Sequence, residues 1–223
     1  MIFLVSLCKG GDKMDEREYW DMIAKEKTFN IPFEMDLFKK YVDSKKYILD
    51  YGCGYGRVLK ELYDNDYTNL LGVDFSKEMI QNAKKLYPYI TFNLINGDTL
   101  DFDDESFDSI ILVGVLNCIH EEEKLNKLLS DLYRVLKKDG IVYVNEFLLN
   151  YNNDMYLNRY EKYKDKYPYG VFETTDGGIF KHRSIQEFFS LLERNLACQE
   201  SKTLKYQTMN GHMSNGIYFI GKK

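Results

Sequence analysis

From residue 47 onward, short apolar segments alternate with longer segments of helical periodicity. The short segments are almost wholly apolar, as in buried strands that are covered by helices on both faces. Strands that alternate with helices in this way are typical of βαβ units, in which neighbouring strands run parallel. The chain is therefore predicted to have an α/β fold on a largely parallel sheet. The predicted strands are YILDYG (47–52), NLLGVD (69–74), TFNLIN (91–96), FDSIILVG (107–114) and GIVYVNEF (140–147).

Further helices and strands are predicted on either side of this core. Residues 15–46 have the pattern of one or two helices interrupted near Pro32. A helical pattern runs over 154–167 and ends at the following proline. The segment 170–183 alternates around an Asp-Gly-Gly turn, which indicates a hairpin. Residues 184–223 begin with a serine-capped helix and close with two strands.

The charge balance and the cysteines restrict partners and compartment. The 223-residue chain has a formal net charge of -5, whereas nucleic-acid binding depends largely on Lys and Arg that neutralise phosphates. We therefore expect no DNA binding, and RNA is disfavoured. The four cysteines have no C-x-x-C pair, so neither a zinc site nor a disulfide framework is expected, and the protein is expected to be cytoplasmic. They are Cys8, Cys53, Cys118 and Cys198.

The apolar beginning of the chain, MIFLVSLC, is too short to span a bilayer and has no basic residue before it. We expect it to be an extra strand or to precede a start at Met14. No other segment approaches a transmembrane run, so no membrane association is expected.

A glycine-rich loop follows the first predicted strand. In ILDYGCGYGRVL (48–59), Gly52, Gly54 and Gly56 occupy alternate positions between a strand and a helix. Such glycines permit a tight turn and let a ligand approach the backbone, while the helix N-terminus offers free N–H groups. The loop lacks the Gly-Lys-Ser/Thr of a P-loop, and its third glycine comes one residue earlier than in the G-x-G-x-x-G of dinucleotide folds. It therefore lacks the usual pyrophosphate fingerprint.

Acidic residues near the ends of three predicted strands specify the ligand further. Asp50 precedes the glycine loop, where a carboxylate suits a cationic group better than a phosphate. Asp74 ends the second strand, where an acid can accept hydrogen bonds from both ribose hydroxyls. Asp98 follows the third strand and can accept a hydrogen bond from an adenine amine. Together they predict an adenosine ligand that carries a cation and no phosphate.

These motifs resemble those of the class I S-adenosylmethionine-dependent methyltransferases. DYGCGYG, GVDFSKEM, INGD, FDSIILVGVLNCIH and LKKDGIVYVNEF match the family in order and spacing, strongly over 47–149 and loosely elsewhere. The resemblance implies a Rossmann-like three-layer sandwich with a seven-stranded, mostly parallel sheet and an antiparallel last strand, which fits the closing GIYFIGKK. We expect a single methyltransferase domain (1–223) with an N-terminal helical segment (15–46), a cofactor-binding core (47–149), an inserted helix and hairpin that cap the acceptor (150–183), and a closing helix and strands (184–223).

The resemblance also implies S-adenosylmethionine as cofactor and S-adenosylhomocysteine as product. Asp50 and the loop glycines are then expected to surround the methionine part, and Asp74 to hold the ribose. Asp98 and Thr99 are expected beside the adenine. No metal site is predicted. The predicted cofactor-binding residues are Asp50, Gly52, Gly54, Gly56, Asp74, Phe75, Met79, Asp98, Thr99 and Val113.

Several of these residues also have a purely structural interpretation. The glycines can serve the turn alone, Asp74 can cap the next helix, and Asp98 can belong to a solvated acidic loop. Phe75 and Met79 can pack in the core instead of against the adenine. Cys53 is expected to fill space in the loop rather than to act as a nucleophile.

The three histidines are the candidate catalytic bases. Methyl transfer from a sulfonium is an in-line displacement that depends mainly on positioning, and a base is needed only when the acceptor is protonated. His120 follows the fourth strand, His182 lies on the predicted hairpin, and His212 lies in the turn between the last two strands. We select His182 and His120 as the candidate catalytic residues.

Aromatic residues form a stripe on the helix predicted in the inserted segment. The stripe either packs against the body of the domain or forms an aromatic wall of the acceptor pocket. Tyr19 and Trp20 near the N-terminus have the same two interpretations, as a cover over the cofactor or as packing. The stripe consists of Tyr156, Tyr160, Tyr163 and Tyr167.

Motifs that the chain lacks narrow the acceptor. No Asn/Asp-Pro-Pro-Tyr/Phe motif follows the fourth strand, no Pro-Cys pair is present, and the paired-glutamate loop of arginine methyltransferases is missing. We therefore predict a methyltransferase for an oxygen or nitrogen atom of a small molecule, active as a monomer or homodimer. The alternatives are a methyltransferase for protein or RNA, a non-catalytic S-adenosylmethionine-binding module, and an enzyme that uses a carboxylated or decarboxylated cofactor.

Overall fold

A mixed seven-stranded sheet forms the centre of the protein, whose computed structural model describes residues 15–26, 28–96, 99–208 and 210–223. The strands are β1 (Ile48–Tyr51), β2 (Leu70–Asp74), β3 (Thr91–Leu94), β4 (Phe107–Val113), β5 (Leu136–Phe147), β6 (Val171–Glu173), β7 (Ile179–Lys181), β8 (Ala197–Gln207) and β9 (Met213–Lys222). The sheet order is β3-β2-β1-β4-β5-β9-β8, and β6 pairs with β7 as a separate hairpin. Strand β9 is antiparallel to both of its neighbours, whereas the pairs from β3 to β5 are parallel. The predicted sheet with its antiparallel last strand is confirmed.

The helices follow the predicted pattern with differences at their ends. They are α1 (Glu16–Glu26), α2 (Met35–Tyr41), α3 (Arg57–Tyr63), α4 (Lys77–Leu86), α5 (Glu122–Val135), α6 (Asp154–Tyr163) and α7 (Ile185–Leu192), with a short 3-10 turn at Leu116–Cys118. Helix α6 ends before the predicted Tyr167. There the carbonyl oxygen of Tyr163 accepts the N–H of both Lys166, at 3.0 Å, and Tyr167, at 2.9 Å, and the i+3 bond tightens the last turn, as is common at the end of an α-helix.

Helices cover both faces of the sheet. Ile48 of β1 packs in one cluster with Leu59 of α3, whereas the next residue, Leu49, packs in another with Leu128 of α5 and Phe188 of α7. Neighbouring residues of a strand point to opposite faces, so both faces need apolar side chains. This explains the continuous apolar runs and confirms the three-layer sandwich. In the described part of the chain, no helix is long and apolar enough to cross a membrane.

The order in which successive strands join the sheet reverses at β1. From β1 it proceeds outward through β2 to β3, and it then returns to β4 and β5 on the other side. In open α/β sheets this reversal leaves a crevice at the carboxyl ends of the strands, where ligands bind. Next to the sheet, α1, α6 and the β6–β7 hairpin pack into a third apolar cluster.

Candidate active site at the carboxyl ends of the strands

The glycine loop between β1 and α3 folds back onto the end of β2. The N–H groups of Gly52 and Cys53 both donate to the carbonyl oxygen of Val73, at 2.8 and 3.0 Å. Gly52 has a φ of +71°, and a Cβ atom there would lie 2.7 Å from the Val115 side chain. Gly56, which precedes α3, also has a positive φ of +85°. An L side chain would be strained at both positions, so the loop depends on glycine.

The carboxylate of Asp74 fixes this loop to the start of α4. Its Oδ2 accepts the N–H of Gly54 at 2.9 Å, and its Oδ1 accepts the N–H of Ser76 at 2.8 Å. Burial raises the pKa of Asp74 to about 6, while these backbone N–H groups act in the opposite direction. Each carboxylate oxygen has a second lone pair. Asp74 can therefore support the loop and still accept hydrogen bonds from a ribose.

Asp50 is buried beside the loop with one oxygen unsatisfied. Only 2% of the residue is exposed, and its Oδ2 has no hydrogen-bond partner among the described residues. Burial raises the pKa of Asp50 to about 8. The positive charge of Arg57 lowers this pKa, and the negative charge of Asp74 raises it. An ammonium group would supply both the missing hydrogen bond and a counter-charge. The site therefore fits the cationic methionine end of S-adenosylmethionine.

A cavity of about 470 Å³ lies between the strand ends and the elements that cover them. Five of the predicted cofactor residues line it: Asp50, Gly52, Asp74, Phe75 and Val113. Four others do not: Gly54, Gly56, Met79 and Thr99. Asp98 lies outside the described residues.

The predicted residues that do not line the cavity include three that shape it. Gly54 donates its N–H to Asp74, and Gly56 leads into α3. Met79 is buried in the first turn of α4, as its packing interpretation requires, and its N–H donates to the Ser76 cap at 3.1 Å.

His182 lies in the cavity wall inside a box of aromatic rings. Its ring stacks on Phe147 at 5.6 Å between centroids, Phe172 approaches edge-on at 4.9 Å, and its Nδ1 lies 2.8 Å from the Tyr160 hydroxyl. Burial, helped by the Arg159 charge, lowers the pKa of His182 to about 3. The imidazole is therefore neutral and a weak base at pH 7. It is suited to orient an acceptor by a hydrogen bond rather than to deprotonate an alcohol.

The other two histidines differ in their position. His212 lines the cavity from the turn between β8 and β9. His120 does not line it, and its ring lies 5.8 Å from the ring of Tyr167. The geometry therefore brings His182, rather than His120, to the cofactor residues.

The tyrosines of the α6 stripe have two different positions: one lines the cavity, and the others pack against the body of the domain or lie beyond the helix. Tyr156 lines the cavity, whereas Tyr160 is buried behind it and Tyr163 packs at the edge of the same cluster. Tyr167 lies beyond the helix end, and its hydroxyl donates to Glu173 at 2.8 Å. The stripe thus both builds the core and contributes one wall of the cavity.

The two aromatic residues of α1 divide in the same way. Trp20 lines the cavity. Tyr19 does not, and it packs edge-on against Phe180 with 6.2 Å between ring centroids.

The cavity residues that the sequence analysis did not single out include Arg57, Phe147 and Arg159. Arg57 directly follows the glycine loop, and Arg159 lies three residues after Tyr156 on the same helix face, so both had a detectable signal. The position of Phe147 depends on tertiary packing. Within the ranges that the structure describes, no group of three or more His, Cys, Asp or Glu residues is arranged to hold a metal ion.

Comparisons with known proteins agree with this site. The family described as "Methyltransferase domain" matches residues 49–144. The carboxy-S-adenosyl-L-methionine synthase of Nautilia profundicola is 29% identical over 162 residues, which cover 69% of each protein. The demethylmenaquinone methyltransferase of Tropheryma whipplei is 36% identical over 103 residues, but these cover only 45% of this chain and 41% of that protein. A crystal structure of a SAM-dependent methyltransferase from Methanosarcina mazei has a TM-score of 0.80 at 23% identity, covering 87% of this chain and 99% of that one.

The matched region begins in β1 and ends within β5, so it contains the glycine loop and the buried acids Asp50 and Asp74. The fold, the loop and the unsatisfied carboxylate of Asp50 agree with the same ligand. Over residues 49–144 the chain matches the methyltransferase domain family, its fold is that of the solved S-adenosylmethionine-dependent methyltransferase, and its site fits S-adenosylmethionine.

Proposed function

We propose that the protein transfers the methyl group to an oxygen or nitrogen atom of a small molecule that binds in the cavity. Aromatic side chains from α1, β5, α6 and the β6–β7 hairpin line the same cavity as the cofactor residues, and this observation carries the proposal. Ligand pockets occupy about 300–1,000 Å³, so a cavity of about 470 Å³ shared with the cofactor suits a small acceptor. The enclosing side chains are Trp20, Phe147, Tyr156, Phe172 and Phe180.

The residues of the chain have separate tasks in this reaction. When bound, S-adenosylmethionine supplies an electrophilic methyl group and becomes S-adenosylhomocysteine. Asp50 balances the positive methionine end, and Asp74 accepts hydrogen bonds from the ribose. The aromatic walls exclude water, and His182 orients the acceptor. Positioning of reactants in this way can lower a barrier by roughly 7–11 kcal/mol.

Binding of the cofactor at pH 7 is expected to release about one proton. A carboxyl group with a pKa of about 8 is about nine-tenths protonated at that pH, and a bound ammonium stabilises its ionised form. Calorimetry in buffers of different ionisation enthalpy measures the number of protons released. Asp50→Asn is expected to release none. Asp21→Asn, in which the changed residue lies outside the cavity, should release as many as the wild type. Equal release by Asp50→Asn would assign the proton to another group.

Labelled methyl transfer tests the acceptor class. The protein is incubated with methyl-labelled S-adenosylmethionine and an extract of its source organism that has been separated by size. Label is expected in the small-molecule fraction and not in the protein or RNA fractions. The Asp74→Ala variant, assayed at an S-adenosylmethionine concentration near the wild-type Kd, serves as the control with weakened cofactor binding. Label confined to protein or RNA, or to no fraction while the cofactor binds, would contradict the proposal.

A further inference from the structure

A cation without an acidic partner lies in the aromatic part of the cavity. Arg159 lines the cavity from α6, and no hydrogen bond or ion pair joins it to any described residue. Its guanidinium lies 5.3 Å from the centroid of the Tyr156 ring and 5.7 Å from that of Phe172. Cation–π contacts of this kind hold the group in place and leave its N–H donors for a ligand.

A neutral polar atom accompanies this cation. The Nδ1 of His182 is engaged with the Tyr160 hydroxyl at 2.8 Å, whereas no described residue forms a hydrogen bond with Nε2. The Arg159 charge acts on this imidazole and, with burial, keeps it uncharged. Around Arg159 the cavity therefore offers the positive charge of the guanidinium, the neutral imidazole of His182 and several ring faces.

The acids of the cavity do not neutralise this charge. Asp50 and Asp74 belong to the strand ends, and Asp15 and Glu16 belong to the start of α1. None of them forms an ion pair with Arg159. A ligand must therefore supply the counter-charge if the guanidinium is to be paired in the complex.

Building on the proposed function, we propose that Arg159 determines specificity by binding the carboxylate of a ligand that occupies the aromatic part of the cavity. The planar guanidinium matches a carboxylate with two parallel hydrogen bonds. The ring faces of Phe147, Tyr156 and Phe172 suit a planar body. The carboxylate can belong to the acceptor, or to a cofactor that carries it on the sulfonium, and the experiment separates these sources.

The first arm titrates the S-adenosylhomocysteine-loaded protein with benzoate and with the neutral benzamide. The wild type is expected to bind benzoate at least about tenfold more tightly, since bonds between charged groups are the strong ones. Arg159→Gln should abolish this preference, and Arg159→Lys should keep part of it. Arg194→Gln is the matched control, because this residue lies outside the cavity and pairs with Asn126. Thermal unfolding verifies that each variant is folded.

The second arm compares S-adenosylmethionine with an analogue that carries a carboxymethyl group on sulfur. Tighter binding of the analogue by the wild type, lost in Arg159→Gln, would support the site and assign the carboxylate to the cofactor. A benzoate preference that persists in Arg159→Gln overturns the proposal. So does a wild type that prefers neither carboxylate. Failure of the wild type to bind S-adenosylhomocysteine would contradict the proposed function instead.

Discussion

Replacing Asp74 with alanine is expected to weaken S-adenosylmethionine binding by about 10- to 100-fold. Hydrogen bonds to a charged group contribute about 1.5–3 kcal/mol, and each 1.4 kcal/mol corresponds to about a factor of ten in affinity. The substitution removes the acceptor for the ribose hydroxyls. It also leaves the N–H groups of Gly54 and Ser76 without their partner. Calorimetric titration measures the affinity, with thermal unfolding as a test of the fold.

A matched variant separates ribose binding from support of the loop. Asp21 also holds the start of α4, since its Oδ1 accepts from the Ser76 hydroxyl at 2.5 Å and from the N–H of Glu78 at 3.1 Å. It does not line the cavity. Asp21→Ala is therefore expected to retain the wild-type affinity. Equal losses in both variants would show that Asp74 acts only through α4, and an unchanged affinity in Asp74→Ala would exclude its role.

The cofactor half of the site could be predicted from the sequence because its signals are local. Consecutive apolar residues in β1, β2 and β4 indicated strands buried on both faces, and the glycines between β1 and α3 are adjacent in the chain. The cap of α4 is equally local, since the Ser76 side chain accepts the N–H of Met79 three residues later. Five predicted cofactor residues line the cavity for the same reason, since each belongs to a strand end or the loop beside it.

The acceptor half was predicted less completely because its residues come together only in the folded chain. Phe147 ends β5, Arg159 lies on α6, and His182 follows β7, and nothing in their spacing indicates that they share a wall. The neutral state of His182 is also a tertiary property, since burial and Arg159 cause it. His120 was selected from its place after β4, but the chain turns there and leaves it outside the cavity.

Replacing Arg183 with methionine is expected to lower the free energy of unfolding by about 2–6 kcal/mol, since each of two buried or partly buried carbonyl oxygens left without its donor costs about 1–3 kcal/mol. Arg183 is 4% exposed and joins the turn after β4 to the end of the inserted segment 150–183. Its Nη1 donates to the carbonyl oxygen of Leu116 and its Nη2 to that of Ile119, both at 2.7 Å. Both carbonyls would lose their donor. The buried Glu146 would lose a nearby positive charge, which now opposes the effect of burial on its pKa.

The dependence of this loss on pH identifies the charge contribution. Burial raises the pKa of Glu146 to about 8 in the folded state, so its contribution to stability falls as the pH rises toward that value. Without Arg183 the folded pKa rises further and the fall extends to higher pH. Urea unfolding should therefore give a larger loss for Arg183→Met at pH 9 than at pH 6. In a Glu146→Gln background the two losses should be equal.

Arg194→Met is the exposed control and should change stability by less than about 0.5 kcal/mol. A loss that does not depend on pH in the wild-type background would leave the two carbonyl hydrogen bonds as its whole cause.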